Sequence, residues 1–285
     1  MKAIFFLGTA TLLAAVAGSA LAAPPEPAKA SDVHGAGATI RIVHITDIHA
    51  STVDHNPPPR FVGDPLCKDL VRSLPILRAT VDYLNHQVHP DAVVITGDSI
   101  DRGRDLASLR QVKACLDGLG CRYYPIIGDH ERKEVYEQVF PGRLNYSFDC
   151  GAWHFAALDC NSGRLEPDAL RWLRDDLSAA RERNSVVMLH RPLVCDAFTE
   201  LLGKGLYGTK LTPENAAEAR TLLRGFGQVK LVLGGHIHVA SDVSLESVRY
   251  LTTPALVVSP HCVRLIELSG ERITTTLLTV PLGKR

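Results

Sequence analysis

The sequence carries no net charge. Its 285 residues include 31 lysines and arginines and 31 aspartates and glutamates. Such a balance provides no basic surface of the kind that neutralises nucleic-acid phosphates, and there is no acidic tail for a basic partner. We therefore expect no nucleic-acid polymer as a partner, whereas a single nucleotide remains compatible with the composition.

Long apolar runs are absent after the first 22 residues. Residues 1–22 contain Lys2, an apolar stretch and the small-x-small sequence Ala20-Leu21-Ala22, which is the pattern of a secretory signal peptide. The alternative is an uncleaved anchor, but the apolar stretch is shorter than the roughly 20 residues needed to cross a bilayer. We expect an exported protein, periplasmic or secreted, with no stable membrane insertion after signal cleavage.

Cysteine is present in an odd number. In an oxidising compartment at least one of the seven cysteines cannot pair within the chain. Cys115 and Cys121 flank the turn sequence 117–120 and are close enough along the chain to form a disulfide. The alternative is that both thiols stay free and pack in the core, where free cysteine is common.

The order of predicted elements indicates an α/β fold. An Ala-, Pro- and Gly-rich leader at 23–38 precedes one domain at 39–285. Strands at 40–45, 92–96 and 123–127 alternate with helices at 68–85, 104–116 and 131–139. This alternation predicts βαβ units and a largely parallel sheet.

The second half of the chain contains more strands. A hairpin is predicted from strands at 144–149 and 153–159, followed by an amphipathic helix at 167–183. Strands at 185–189 and 229–233 flank a helix at 213–224, for which Thr212 is the expected N-cap. Strand-like sequence then continues from 243 to 280.

Side chains that can bind metals follow five of these strands. The carboxyl ends of strands in an open α/β sheet meet at one edge, where ligands bind. In extended backbone residues i and i+2 point to the same face, so both members of D-x-H and H-x-H can face that edge. The five segments are Asp47-Ile48-His49, Gly97-Asp98-Ser99-Ile100-Asp101, Gly128-Asp129-His130-Glu131, Leu189-His190-Arg191 and Gly235-His236-Ile237-His238.

The residue types in these segments indicate transition metals. Imidazole nitrogens mixed with carboxylates suit Zn, Fe or Mn better than Ca or Mg. Two such ions about 3.5–4 Å apart can clamp the attacking and leaving oxygens of a displacement at phosphorus. A single D-x-H is expected about once by chance in a chain of this composition, but the ordered occurrence of all five segments is not.

In this order the five segments resemble the calcineurin-like metallophosphoesterase family, whose pattern is D-x-H, G-D-x-x-D, G-N-H-D/E, a lone H and G-H-x-H. The resemblance covers about residues 40–270. It implies a two-sheet sandwich flanked by helices, an αββα arrangement. It also implies a hydrolase of small-molecule phosphomonoesters or phosphodiesters that uses two divalent or trivalent transition-metal ions, either Fe, Mn or Zn.

The resemblance also implies a role for each motif residue. His130 would stabilise or protonate the leaving oxygen, and Asp101 would orient His130 through a hydrogen bond. Arg102 completes a run similar to that of the protein serine/threonine phosphatases, where the arginine contacts phosphate. The implied metal ligands are Asp47, His49, Asp98 and His238 for the first ion, and Asp98, Asp129, His190 and His236 for the second.

Two positions depart from the family pattern. Asp129 stands where the family has asparagine, which adds a third carboxylate and lowers the charge of the site by one. This predicts a slower enzyme or a preference for a more highly charged metal, because metal charge attracts the phosphate and acidifies bound water. Arg191 follows His190 where many relatives have a second histidine, and it could bind a phosphate oxygen or be solvated.

Two irregular stretches and three histidines complete the predictions. The stretch 51–66 offers His55 and Arg60 as substrate contacts, and the stretch 195–211 could cover the site, although plain surface loops explain both equally well. We expect His44 and His154 to be hydrogen-bonded core histidines and His261 to lie at the surface.

The motifs are compatible with other functions. A cyclic-nucleotide phosphodiesterase would use the same core, so the motif cannot separate it from other phosphoesterases. A non-catalytic homologue that binds metal or phosphate is the alternative from another class. His130 and Asp101 argue against that alternative, because a pure binder needs no leaving-group acid.

Overall fold

The computed structural model describes residues 38–56, 64, 67–204 and 210–283. The predicted signal peptide at 1–22, most of the leader and Arg60 lie outside the described residues. Within these ranges no helix is long and apolar enough to cross a membrane.

The first sheet has five strands. In spatial order they are β11 (Arg272–Thr279), β10 (Cys262–Ser269), β1 (Ile40–Ile45), β2 (Ala92–Thr96) and β3 (Arg122–Ile126). β1, β2 and β3 are parallel, with Ile42 opposite Ala92, whereas β10 and β11 are antiparallel additions at the other side.

The second sheet has six strands. In spatial order they are β4 (Tyr146–Cys150), β5 (Trp153–Ala157), β6 (Ser185–Met188), β7 (Val229–Gly234), β9 (Val248–Thr252) and β8 (Ser241–Leu245). The four central strands are parallel, and the two edge strands are antiparallel. β4 and β5 form the predicted hairpin, in which Cys150 pairs with Trp153.

Six α-helices lie in the described part of the chain. They are α1 (Ser73–Tyr83), α2 (Leu106–Leu116), α3 (Lys133–Tyr136), α4 (Pro167–Ala179), α5 (Phe198–Gly203) and α6 (Ala216–Arg224). α1 continues as a π-helical turn over Leu84–Val88.

Side-chain alternation along the strands produces three apolar layers. Ile42 and Val94 face the second sheet and share one apolar cluster with its Phe155, whereas their neighbours Val43 and Val93 face α1 and α2. The outer face of the second sheet packs in the same way against α4 and α6. The result is the two-sheet sandwich flanked by helices that the family resemblance implies. The βαβ units predicted for the first half of the chain are confirmed by the parallel strands β1, β2 and β3, and antiparallel strands complete both sheets.

Several helix boundaries differ from prediction for local reasons. The helix predicted at 131–139 shortens to α3 because Glu131 is buried and accepts hydrogen bonds from the backbone of Gly128 and Ile100. α6 begins after Asn215 rather than Thr212. The Asn215 amide pairs with the backbone of Leu165 instead of capping the helix.

Predictions for cysteine and histidine have mixed outcomes. All seven cysteines are free, so the predicted Cys115–Cys121 disulfide is absent, and both side chains pack against the core as apolar groups. His44 and His154 are buried and hydrogen-bonded, as predicted. His261 is also buried, contrary to prediction, because its ring meets the Leu256 carbonyl.

Candidate metal centre

The five predicted segments meet at one edge of the sandwich. Three of them follow β1, β2 and β3 of the first sheet, and two follow β6 and β7 of the second. All five strands present their carboxyl ends there, because they run parallel within their sheets. Residues that lie up to 191 positions apart in the sequence therefore share one site, which contains Asp47, His49, Asp98, Asp129, His130, His190, His236 and His238.

The backbone at this edge is left-handed rather than extended. Nine described non-glycine residues have positive φ, and five of them lie in the predicted ligand segments. Asp47 has φ of 53° and His49 of 44°, while His236 and His238 have 68° and 60°. The prediction that extended backbone aims these pairs is therefore wrong, although both members of each pair do face the site. Such conformations cost free energy and concentrate at functional sites.

The first cluster consists of Asp47, His49 and His238. The Nε2 atoms of the two histidines lie 3.1 Å apart. Asp47 Oδ1 lies 3.2 Å from His238 Nε2 and 3.7 Å from His49 Nε2. Three potential ligand atoms thus surround one point, with all three side chains buried.

The second cluster consists of Asp98, His190 and His236. Asp98 Oδ2 lies 3.3 Å from His190 Nε2 and also 3.7 Å from His49 Nε2, so this one oxygen faces both clusters. His190 donates from Nδ1 to the Thr96 carbonyl at 2.7 Å, and His236 donates from Nε2 to the Lys210 carbonyl at 2.8 Å. These bonds turn His190 Nε2 and His236 Nδ1 toward the cluster, as second-sphere hydrogen bonds do in metal sites.

Unpaired buried atoms test whether metal ions fit these clusters. Asp47 Oδ1, Asp129 Oδ1 and His190 Nε2 are buried and have no hydrogen-bond partner among the described residues. Buried polar atoms without partners are rare and costly. All three belong to side chains that the family resemblance names as ligands, and one cation in each cluster would satisfy them. The donor set therefore fits two transition-metal ions.

Electrostatics keep two of the histidines in the form that binds metals. Burial, assisted by the Lys68 ammonium, lowers the pKa of His49 to about 3. Burial and the neighbouring His190 lower the pKa of His236 to about 4. Burial opposes ionisation of Asp47, but His238 and His49 outweigh it and hold the pKa of that carboxyl well below its usual range. Neutral imidazoles and an ionised carboxylate are the states that coordinate a metal.

A buried glutamate joins the two loops that carry Asp98 and Asp129. Glu131 accepts from the Ile100 amide at 3.0 Å and from the Gly128 amide at 2.8 Å. Burial, together with the nearby Asp98 charge, raises the pKa of Glu131 to about 7. Position 128 must be glycine, because a Cβ there would lie 2.1 Å from the Asp98 nitrogen. The close approach of the two loops therefore accounts for the glycine at position 128, and the hydrogen bonds across them account for the glutamate at position 131.

Asp101 hydrogen-bonds His130, as the family resemblance implies, but through its main chain. His130 Nδ1 donates to the backbone carbonyl of Asp101 at 2.7 Å, whereas the Asp101 carboxylate accepts from Lys68 at 3.0 Å. His130 Nε2 faces the clusters, 3.9 Å from Asp98 Oδ2. The main chain of Asp101 therefore orients His130. Lys68, which also lies 3.2 Å from His49 Nδ1, was missed because the sequence pattern assigned it to a helix.

The two departures from the family pattern contact each other. Arg191 donates from Nε to Asp129 Oδ2 at 2.8 Å, and its Nη2 lies 2.7 Å from the same oxygen. Asp129 Oδ2 is also 3.6 Å from His236 Nδ1. The carboxylate therefore lies next to the second cluster but is not one of the three side chains that form it. Arg191 is neither solvated nor free for phosphate.

Two open cavities adjoin the clusters. One of about 530 Å³ is lined by His55, Lys68, Arg102 and His130, together with the proposed ligands Asp98, His236 and His238. The other, of about 670 Å³, is lined by Asp129, His130 and Arg102. Two of the predicted substrate contacts, His55 and Arg102, thus lie at the site with side chains toward a cavity, whereas Arg191 is paired with Asp129.

The sequence matches known proteins along most of its length. The family model for calcineurin-like phosphoesterases matches residues 40–240. A 3′,5′-cyclic-nucleotide phosphodiesterase of Nostoc sp. is 26% identical over 76% of this chain and 78% of its own. The 3′,5′-cyclic adenosine monophosphate phosphodiesterase of Escherichia coli is 26% identical over 79% and 80%. A glycerophosphodiester phosphodiesterase of Enterobacter lignolyticus is 24% identical over 78% and 79%.

The fold matches solved structures of phosphatases. A dimetal phosphatase from Danio rerio superposes with a TM-score of 0.64 at 14% identity, covering 85% of this chain and 99% of that one. A purple acid phosphatase from yellow lupin superposes with a TM-score of 0.61 at 13% identity, covering 90% and 53%. With the family model spanning more than half of the chain, this protein belongs to the calcineurin-like phosphoesterase family and is a metal-dependent phosphoester hydrolase.

Proposed function

We propose that this protein is a two-metal phosphodiesterase that hydrolyses small phosphodiesters, with 3′,5′-cyclic nucleotides as the first substrates to test. The observation that carries the proposal is the pair of ligand clusters sharing Asp98 Oδ2, which contain buried unpaired atoms and open into a cavity of about 530 Å³. That volume suits a single nucleotide better than a polymer.

The proposed ligand sets follow from the contacts. One ion would be held by the first cluster together with Asp98, and the other by the second cluster together with the Asp129 carboxylate. When bound, two such ions polarise the phosphoryl oxygens and make a water nucleophilic near neutral pH. The proposed ligands are Asp47, His49, Asp98 and His238 for one ion, and Asp98, Asp129, His190 and His236 for the other.

His130 is the proposed general acid. Because its Nδ1–H donates to the Asp101 carbonyl, Nε2 is the atom that can give a proton to the leaving oxygen. Lys68 and Arg102 line the same cavity and can contact phosphate oxygens, Lys68 by giving up one of its present partners. These side chains bind and orient the diester, and His130 moves the proton.

Two considerations favour a diester over a monoester. Two of the relatives described above are named for cyclic nucleotides, and one for glycerophosphodiesters. A diester carries one negative charge, which suits a site with few unpaired cations. Among the described residues lining the 530 Å³ cavity, Lys68 and Arg102 are the only lysine and arginine.

A substrate panel tests the proposal. The protein is loaded with Mn, Fe or Zn and assayed on cyclic AMP, bis(p-nitrophenyl) phosphate and p-nitrophenyl phosphate, with His190→Ala as the metal-ligand control. We expect the two diesters to be hydrolysed faster than the monoester, and the control to be inactive. Two tightly bound ions with no turnover on any substrate would instead support the non-catalytic binder.

We also propose that the protein acts outside the cytoplasm. The support is the sequence pattern of residues 1–22, which lies outside the described residues. Expression of the full chain followed by fractionation and N-terminal sequencing tests this. Export predicts a mature N-terminus at Ala23, whereas a cytoplasmic protein retaining residue 1 or 2 would refute it.

A further inference from the structure

We propose that Asp129 and Arg191 act as one neutral unit at the second metal position, with Arg191 as the positioning residue for the Asp129 carboxylate. The inference rests on the proposed function only in requiring that two metal ions bind. It concerns the two positions at which this chain departs from its family. The lower site charge predicted for Asp129 implies that Asp129→Asn improves the site, whereas the inference predicts that this substitution weakens metal binding.

The contact geometry ties the two side chains tightly. Arg191 Nε and Nη2 lie 2.8 and 2.7 Å from one oxygen of Asp129, Oδ2. Both side chains are largely buried, with 10% of Arg191 and 16% of Asp129 exposed. Charge-assisted hydrogen bonds of this length are about twice as strong as neutral ones, and Arg restricts carboxylate orientation more than Lys does.

The guanidinium is itself held from the other side. Gly163 lies against it, and a Cβ at that position would come within 3.2 Å of Nη1 and 3.5 Å of Nη2. Gly163 has φ of 91°, where other residues are strained. The Arg191 amide also donates to Cys160 Sγ at 3.5 Å. The loop around residue 163 thus accommodates the planar guanidinium and limits its movement.

The charge count explains why the two departures occur together. Asparagine and histidine at these positions would contribute no fixed charge, and aspartate paired with arginine also sums to zero. The expected loss of one unit of site charge is therefore corrected: the Arg191 charge offsets the third carboxylate. Asp129 Oδ1 stays buried and unpartnered among the described residues, so the pair still offers an oxygen to a metal.

This coupling predicts that Asp129→Asn alone weakens the second site. The substitution introduces the family residue but leaves an unpaired guanidinium beside a cation site. Repulsion between unit charges a few ångströms apart in a partly buried setting corresponds to a change in affinity of about tenfold or more. The double variant Asp129→Asn/Arg191→Gln removes both charges, and we expect its affinity to lie within about threefold of the parent, since no net charge is introduced.

The experiment measures metal binding rather than activity. The parent, Asp129→Asn, Arg191→Gln and the double variant are freed of metal with chelator and titrated with Mn²⁺ by calorimetry, and bound ions are counted by elemental analysis. Melting curves of the metal-free proteins verify folding. Arg191→Gln leaves the buried Asp129 carboxylate without its partner. If that variant fails to fold, the double variant, which carries neither charge, still decides the comparison.

An exposed pair of the same chemistry provides the matched control. Arg183 Nη1 lies 2.8 Å from Asp149 Oδ2, and both side chains are about half exposed. Asp149 lies on β4, next to β5 and away from the carboxyl ends that build the site. Asp149→Asn, alone or with Arg183→Gln, is expected to change neither the number of bound ions nor their affinity.

The outcomes separate cleanly. Weak second-ion binding in Asp129→Asn with recovery in the double variant supports the unit. Unchanged or tighter binding in Asp129→Asn, or a double variant as weak as that single variant, overturns it while leaving the proposed function intact. A parent that binds fewer than two ions overturns the inference together with the two-metal proposal.

Discussion

Two buried regions of this protein share Thr96 and use it differently. In the interior, the Thr96 hydroxyl lies 2.7 Å from His44 Nε2. At the edge of the sandwich, the Thr96 carbonyl accepts from His190 Nδ1 at 2.7 Å. Both histidines are fully buried. One residue at the end of β2 thus separates a structural histidine from a candidate metal ligand.

The difference lies in what the second ring nitrogen meets. His44 Nδ1 lies 2.8 Å from the Thr253 hydroxyl, which Arg264 also approaches, so both nitrogens of His44 are satisfied. His190 Nε2 has no hydrogen-bond partner among the described residues. A buried polar network with every atom paired stabilises a fold, whereas one with atoms left unpaired points to a missing ligand.

The charge states follow the same division. Burial, assisted by the Arg264 guanidinium, lowers the pKa of His44 to about 3, so the interior histidine stays neutral. At His190 burial acts in the same direction, but the carboxylates of Asp98 and Asp47 outweigh it and raise the pKa well above its usual value. The interior histidine has both ring nitrogens paired and needs no cation, whereas the edge holds carboxylate charge that a metal would neutralise.

Substitution at the edge tests this comparison with the largest expected effect. Asp98→Asn removes the charged oxygen that faces both clusters. Because the ions supply several kcal/mol of charge stabilisation, we expect kcat/KM to fall by about 10³-fold or more. Circular dichroism of the variant checks that the fold persists. Activity within tenfold of the parent would show that Asp98 is not shared between two ions.

The matching interior substitution is expected to affect stability instead. His44→Ala leaves the hydroxyls of Thr96 and Thr253 without their partner and creates a cavity, which costs about 3 kcal/mol of unfolding free energy. Urea denaturation measures this loss. Turnover per folded molecule and the number of bound metal ions should match the parent, and a lost metal ion would erase the distinction between the two regions.

His130 tests whether the edge performs catalysis in addition to binding metal. His130→Gln removes the proton donor but no proposed ligand, so kcat on cyclic AMP should fall by about 100-fold. Hydrolysis of bis(p-nitrophenyl) phosphate, whose leaving group needs little protonation, should fall much less. Equal losses on both substrates would contradict the role of general acid, and unchanged metal content is the control.

Arg102 tests the substrate side of the edge with a smaller effect. Its side chain is exposed and lines both cavities. Arg102→Gln should raise KM for a diester by about fivefold, the value of one solvent-exposed charged contact, with kcat nearly unchanged. Arg183→Gln is the control for loss of an exposed arginine. A lower kcat with unchanged KM would mean that Arg102 acts on the transition state instead.

The smallest expected effect concerns a third histidine, on the outer part of the second sheet. Hydrogen bonding to Asp176, opposed by partial burial and assisted by Asp149, raises the pKa of His154. Because the folded pKa lies above 6.5, the pair stabilises the fold fully below that pH, and the contribution declines as pH rises through the folded value.

Asp176→Asn should therefore cost about 1 kcal/mol at pH 5.5 and progressively less at alkaline pH. Urea denaturation of the parent and the variant across pH 5–9 measures the difference. If the loss of unfolding free energy caused by Asp176→Asn grew with pH, His154 would be neutral in the folded protein, as His44 is, and would not form an ion pair with Asp176.

Strand ends and ligand segments could be predicted because their signals are local. A β-branched run followed by Gly-Asp or by Gly-His-x-His occupies a few residues, and β1, β2 and β7 begin within one residue of prediction. The ends of helices were predicted less accurately than the ends of strands. Glu131 leaves its predicted helix because its carboxylate accepts from the amides of Gly128, before that helix, and Ile100, from another segment. Lys68 leaves its predicted helix because its ammonium contacts Asp101, also from another segment.

The sequence by itself determined which residues converge, since the strand order and the parallel direction bring five segments to one edge. Only the tertiary structure decided what each side chain contacts there. Asp129 and Arg191 are 62 residues apart, and the sequence offered phosphate binding or solvation for the arginine, whereas the structure pairs it with the aspartate at 2.8 Å. A hydrogen bond forms only when atoms on different elements are placed to within a few tenths of an ångström, and no local sequence pattern encodes that placement.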